Sequence, residues 1–144
     1  MNPAATWYLN RGTGIVLLVL FTLTLVLGIT ATAGRGPRWF PGFVTQGLHR
    51  SLSLLSTLLL VGHVSSAVLD DYVDINWIDA VRPFGGSYRP LYLGLGALAV
   101  DLLVVLLITS LLRRRMPDPV WRVLHLLAYP LWGVSVVHTV GIGT

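Results

Sequence analysis

Long apolar runs separated by short polar segments dominate the chain. Four runs of at least 20 residues each contain no more than one Asp or Arg. An α-helix needs about 20 predominantly apolar residues to cross the hydrocarbon core of a bilayer. The pattern therefore predicts four transmembrane helices, at residues 14–33, 48–69, 91–112 and 121–142.

The segments between these helices are rich in residues that interrupt helices. Glycines and prolines predict a loop at residues 34–47, and the longest connection, residues 70–90, carries four aspartates. Within that connection, apolar residues at four-residue spacing predict a short interfacial helix over residues 73–81. Pro130 interrupts the fourth predicted span and is expected to kink it.

The first apolar run has a second interpretation as a cleaved signal peptide. Arg11 precedes the run, and Ala31-Thr32-Ala33 resembles a small-residue cleavage site. The run has 20 residues, whereas the apolar region of a signal peptide usually has about 7–15. The sequence therefore favours a retained first helix.

The composition agrees with an integral membrane protein of one domain, residues 1–144. Hydrophobic residues make up 54% and charged residues 11% of the chain, whereas about a quarter of a soluble domain is charged. The net charge of +4 comes from arginines beside apolar runs and forms no soluble basic face, so nucleic acid is not an expected partner. The absence of cysteine excludes disulfides, thiolate-ligated haem and iron–sulfur clusters.

The arginines are unequally divided between the two sides of a four-helix chain. Seven lie in or beside the first and third loops, and three lie before the first helix or in the second loop. The positive-inside rule then makes the first and third loops cytoplasmic. We expect a plasma (inner) membrane protein with both termini outside and with the second and fourth helices running in the same direction.

All four histidines lie in the second and fourth predicted spans. His49 and His63 are 14 residues apart, which is about 40° short of four turns and a rise of about 21 Å. They therefore leave one helix face near opposite membrane edges, too far apart to share one metal ion. With His125 and His138 on a parallel helix, the pattern predicts the pairs His49/His125 and His63/His138. Because neutral imidazole is a common axial ligand of haem iron, it predicts an all-α polytopic membrane four-helix bundle that binds haem between helices 2 and 4.

Two points leave alternatives open. An intramembrane histidine can simply be hydrogen-bonded to a neighbouring helix, and the chain would then be a non-redox membrane subunit with packing or proton-relay histidines. Thirteen residues of ideal helix also place His138 about 140° around the helix from His125. Pro130 lies between them and can re-aim the second half of the helix.

The spacing of the two histidine pairs resembles the transmembrane domain of ferric reductases and NADPH oxidases. The whole chain is similar to the short bacterial ferric reductase-like membrane proteins, with further similarity in residues 83–84, 88–96, 109–113 and 121–129. In that family the four histidines bind two b-type haems that carry electrons across the membrane. The resemblance therefore implies an inner haem held by His49 and His125 and an outer haem held by His63 and His138.

The chain also departs from the larger family members, which have six helices and, where they use NADPH, a cytoplasmic flavin and nicotinamide domain. Here four helices are predicted, and no glycine-rich phosphate loop follows a strand, so we expect no flavin or NAD(P) site in these residues. We expect an oxidoreductase that takes electrons from a separate flavoprotein or quinol and passes them to an external acceptor such as ferric iron. A haem subunit of a quinone oxidoreductase is an alternative.

Three arginines are candidates for binding haem propionates, because Arg recognises carboxylates bidentately. Arg50 lies beside His49 at the inner level, whereas Arg82 and Arg89 lie in the second loop. Arg50 is explained equally well as a positive charge that anchors the cytoplasmic side of the helix. Asp101 is the one acidic residue within a predicted span, and we expect it to bind a proton, a partner or a neighbouring helix.

Overall fold

The computed structural model describes residues 3–33, 41–70 and 73–143, and all regular structure in these ranges is helical. Four stretches of them are long and apolar enough to cross a membrane, which confirms the prediction of an all-helical chain with four spans. The helices are α1 (Pro3–Ala33), α2 (Gly42–Val68), α3 (Pro90–Leu111), α4 (Asp118–His125) and α5 (Ala128–Gly143), with a 3-10 turn at Arg113–Arg115.

Several boundaries differ from those predicted. α1 begins at Pro3 rather than at residue 14, and α2 begins at Gly42, inside the segment predicted to be a loop. Residues 34–40 of that loop lie outside the described residues. The prediction of a short helix over residues 73–81 is wrong. These residues form turns, with hydrogen bonds such as that from Asp79 N–H to the Asn76 carbonyl, and not an α-helix.

The predicted interruption of the fourth span is confirmed and separates α4 from α5. Leu126 and Leu127 form a turn between the two helices, and Pro130 is the third residue of α5. A proline has no N–H to donate to the carbonyl four residues earlier, and its ring clashes with that carbonyl. The Leu126 carbonyl instead accepts from Tyr129 N–H at 3.0 Å. The break therefore lies between His125 and His138.

The chain folds as two compact units, Met1–Leu69 and Asp70–Thr144. In the first unit, α1 and α2 pack antiparallel, since the N-terminal half of α2 contacts the C-terminal half of α1. In the second unit, α3 packs against α4 and α5 around a core of Ala99, Leu106 and Leu131.

Large apolar side chains remain exposed along the span-length helices. Leu58 in α2 is 72% exposed and Leu111 in α3 is 84% exposed, and similar residues occur along α1 and α5. Acyl chains solvate such surfaces without cost, and helices satisfy their own backbone hydrogen bonds there. The exposed apolar surface and the four spans identify an integral membrane protein.

Candidate functional site

His63, in the second half of α2, is held by the N-terminal part of α1. Its Nδ1 lies 3.0 Å from the Thr13 hydroxyl oxygen, Oγ1. That oxygen also lies 2.8 Å from the Leu9 carbonyl and 3.0 Å from the Asn10 carbonyl, in positions to donate its single proton. If that proton is assigned to the α1 backbone, His63 Nδ1–H is the donor to Thr13, and we adopt this assignment.

His49, near the start of α2, is held by the backbone of α1. Its Nδ1 donates to the Thr24 carbonyl oxygen over 2.9 Å. A carbonyl can only accept, so Nδ1 carries the hydrogen in the neutral ring, and Nε2 carries the lone pair. Both histidines of α2 therefore have the same tautomer and are oriented by the same neighbouring helix.

Two glycines of α1 make room for these rings. A Cβ atom on Gly28 would lie 3.2 Å from His49 Cε1, and a Cβ atom on Gly14 would lie 3.3 Å from His63 Cε1. Gly14 and Gly28 are 14 residues apart, as are His49 and His63. Since α1 and α2 are antiparallel, equal spacing lets each glycine meet one histidine.

His138 repeats this arrangement in the second unit. Its Nδ1 donates to the Tyr92 carbonyl oxygen in α3 over 2.7 Å. A Cβ atom on Gly96 would lie only 2.6 Å from His138 Cε1, closer than real Cβ contacts allow. A ring bonded to a backbone carbonyl and packed on a glycine thus occurs in both units.

His125, the last residue of α4, has a different environment. Its ring stacks on Trp121, with centroids 4.7 Å apart and planes 21° from parallel. The Arg113 guanidinium lies 4.4 Å from the Trp121 ring centroid and forms an ion pair with Asp118 at 2.7 Å. His125 is therefore packed on an aromatic ring that is itself covered by a cation.

The three Nδ1 bonds make the rings suitable metal ligands. A ligating imidazole coordinates through one nitrogen while the other donates to an acceptor that fixes the tautomer and the ring orientation. In His49, His63 and His138 the nitrogen left to coordinate a metal would then be Nε2. Within residues 3–33, 41–70 and 73–143, no three His, Asp or Glu side chains converge as a conventional metal cluster would require. The residues present fit haem, which takes two axial ligands.

The arginines predicted to bind propionates differ in their contacts. Arg89 adopts a left-handed conformation (φ 39°) just before α3, and its guanidinium donates to the Gly141 carbonyl over 2.8 Å. The aliphatic part of Arg82 packs on Gly85. Arg50 is exposed and forms no ion pair or hydrogen bond with any described residue. Asp101 is half-buried in α3 and likewise has no hydrogen bond within the described part of the chain.

Sequence reasoning did not identify the residues that hold the histidines. Thr13, Gly14, Gly28 and Gly96 lie in apolar runs and match no motif. One signal was present in the sequence, because the spacing of the two α1 glycines equals that of the two α2 histidines. That equality becomes meaningful only once α1 and α2 are known to pack antiparallel.

The four spans and the oriented histidines identify an integral membrane protein with candidate metal-ligating side chains. The family described as ferric reductase like transmembrane component matches residues 13–136, and the chain belongs to this family. The match includes His49, His63 and His125 and ends two residues before His138. It confirms the resemblance found in the sequence and makes the chain a membrane redox component of a family whose transmembrane domains generally bind haem. No curated protein and no solved structure matches significantly.

Proposed function

We propose that the chain is a di-haem b-type membrane cytochrome. It passes electrons across the bilayer from a cytoplasmic-side donor to an external acceptor such as ferric iron. Family membership supports the redox role. The observation that carries the haem assignment is the Nδ1 hydrogen bond made by three of the four histidines, His49, His63 and His138.

The bonds to backbone carbonyls orient the rings without breaking the hydrogen bonds of the helices that contain those carbonyls. A carbonyl oxygen has two lone pairs, so the Thr24 and Tyr92 oxygens can each accept a ring N–H in addition to a helical N–H. An Nδ1 acceptor also makes Nε2 a better electron donor to a metal. The geometry thus supports ligation through Nε2 in both units.

The proposed ligand pairs are His49 with His125 and His63 with His138. When bound, haem supplies reversible one-electron chemistry. Arg50 is proposed to bind a propionate of the inner haem, and Arg82 and Arg89 those of the outer haem. Arg89 donates one N–H to Gly141, and a guanidinium has five N–H donors, so further donors remain for a carboxylate.

The donor is proposed to be a separate flavoprotein or quinol, because these residues contain no glycine-rich phosphate loop that could bind a flavin or nicotinamide nucleotide. The arginine-rich first and third loops are proposed to face the cytoplasm of the plasma membrane, with both termini and the aspartate-rich connection outside. Electrons would then leave the protein on the aspartate-rich side.

A second candidate function follows from the same contacts. The bonds at His49, His63 and His138 also satisfy histidines that serve only to pack helices. The chain would then be a non-redox subunit or a proton relay. A haem subunit of a quinone oxidoreductase is a further alternative, and it would also bind haem.

A reduced-minus-oxidised spectrum of the purified protein, with a pyridine haemochrome count, distinguishes these functions. We expect b-type bands and two haems per chain. A variant with all four histidines replaced by alanine should lose them, whereas Gly133→Ala, at a position with nothing within 4 Å of its added Cβ, should keep them. A colourless, folded protein purified from haem-supplemented cells would favour the packing function.

A further inference from the structure

Thr13 differs from the other residues that accept a histidine ring proton. In the described part of the chain, His49 and His138 donate Nδ1–H to backbone carbonyls, whereas His63 donates to a side-chain hydroxyl. A carbonyl is present whatever the residue, but the hydroxyl depends on the residue being threonine or serine. The acceptor for His63 is therefore encoded by one side chain.

The surrounding contacts hold this hydroxyl in a position where it can accept the ring proton. Thr13 Oγ1 reaches the Leu9 and Asn10 carbonyls at 2.8 and 3.0 Å, so the rotamer is tied to the α1 backbone. A hydroxyl that donates its own proton becomes a stronger acceptor through cooperative polarisation. The amide of Asn10 also reaches the Ser66 hydroxyl at 3.3 Å, which connects the same turn of α1 to the helix that bears His63.

Gly14 adds a second contact between α1 and the ring, at the atom next to Nδ1. Its absent side chain leaves His63 Cε1 within 3.3 Å of the position that a Cβ would take. Two adjacent residues thus hold the plane and the tautomer of one imidazole.

We propose that Thr13 is a positioning residue that keeps His63 in the Nδ1–H tautomer and thereby lowers the reduction potential of the haem that His63 holds. The effect on the potential rests on the proposed function. An acceptor on Nδ1–H increases electron donation from Nε2, which stabilises ferric over ferrous iron. Thr13 therefore sets the potential of the haem at the His63 level and leaves the other haem unaffected.

Thr13→Val tests this proposal because valine keeps the shape of threonine and removes the acceptor. In the haem-free protein in detergent, ¹⁵N NMR should show His63 as the Nδ1–H tautomer in the unmodified chain and in Thr13→Ser. In Thr13→Val the His63 ring nitrogens should shift toward the Nε2–H tautomer. Thr30→Val is the matched control, since among the described residues the Thr30 hydroxyl bonds only the Leu27 carbonyl of its own helix.

Redox titration of the haem-loaded variants gives the second readout. Thr13→Val should raise one of the two midpoint potentials and leave the other unchanged, and Thr13→Ser should restore it. Unchanged His63 nitrogen signals in Thr13→Val, or in Thr13→Ala if the valine variant does not fold, overturn the positioning role. A normal tautomer change in a chain that binds no haem instead overturns the proposed function and the effect on the potential.

Discussion

Gly96 and His138 face each other between α3 and α5 at a distance that leaves no room for a methyl group. A Cβ built on Gly96 would lie 2.6 Å from Cε1 and 2.7 Å from Nδ1 of the histidine. The same ring donates to the Tyr92 carbonyl one turn earlier in α3. The glycine and the carbonyl together determine where this imidazole lies.

Gly96→Ala should therefore displace His138. Forcing a methyl group into this contact is expected to destabilise the fold by about 1–3 kcal/mol and to break the Tyr92 bond. We expect loss of one of two haems, measured by the pyridine haemochrome count, together with a lower thermal unfolding midpoint. Gly14→Ala and Gly28→Ala, where the contacts are 3.3 and 3.2 Å, should have smaller effects.

The control is Gly133→Ala in α5, where an added Cβ meets nothing within 4 Å. Alanine is the better helix former by up to about 1 kcal/mol, so this variant should be as stable as the unmodified protein or more so. Equal haem loss in Gly96→Ala and Gly133→Ala would contradict a specific role for Gly96.

Thr24→Val should leave His49 in place, although Thr24 is the residue that His49 contacts. The acceptor is the backbone oxygen of Thr24, whereas its hydroxyl is buried without a hydrogen-bond partner among the described residues. Removing an unsatisfied hydroxyl is expected to be neutral or to stabilise by up to about 1 kcal/mol. Thermal unfolding and the ¹⁵N signals of His49 measure both effects, and a changed His49 tautomer would disprove the assignment of the backbone acceptor.

Trp121 should affect only the haem that depends on His125. The stack between the two rings contributes about 0.5–1.5 kcal/mol and fixes the imidazole plane. Trp121→Ala should shift one low-spin EPR signal, because the g values report the orientation of the axial ligands. Trp121→Phe keeps an aromatic face and should shift it less. A shift in both haem signals would show that the effect is not local to His125.

The proposed ligand pairs predict which variants share a phenotype. His49→Ala and His125→Ala should abolish the same haem, and His63→Ala and His138→Ala should abolish the other. Separate midpoint potentials in a redox titration identify the haem that remains. If all four variants lose both haems while circular dichroism shows that the fold is retained, the proposed pairs are contradicted.

The direction of electron transfer can be tested in sealed vesicles. With a reductant on the arginine-rich side, an impermeant ferric chelate on the aspartate-rich side should be reduced, and a C-terminal reporter should be active only outside the cytoplasm. His63→Ala should abolish chelate reduction while the inner haem still becomes reduced. Equal rates without haem, or reduction driven by NADPH alone, would contradict the proposed mechanism.

The spans were predictable because their cause is local. An apolar run long enough to cross hydrocarbon must be helical to satisfy its backbone, and Pro130 must break the helix beside it. The helix ends were less predictable, since α1 begins at Pro3, well before the predicted start of the span at residue 14. At residues 73–81 the four-residue spacing suggested a helix, but the described bonds there are those of turns.

The histidines could be predicted from the sequence as candidate ligands, but the residues that contact and orient them could not. Imidazoles in apolar runs stand out in any sequence, whereas Gly28 and Thr24 resemble their neighbours. What distinguishes them is the register between α1 and α2, which depends on packing across the hairpin and not on any local pattern. The sequence therefore predicted the candidate ligands but not the residues that orient them.

The hydrogen bonds of His49 and His63 both close within the α1–α2 hairpin. The partners in these two bonds, Thr24 and Thr13, both belong to α1. The entropic cost of ordering these side chains is therefore met when the hairpin forms, before any cofactor arrives. Under the proposed function, the first half of the chain would be a preorganised half-site whose two histidine bonds form together with its helix hairpin.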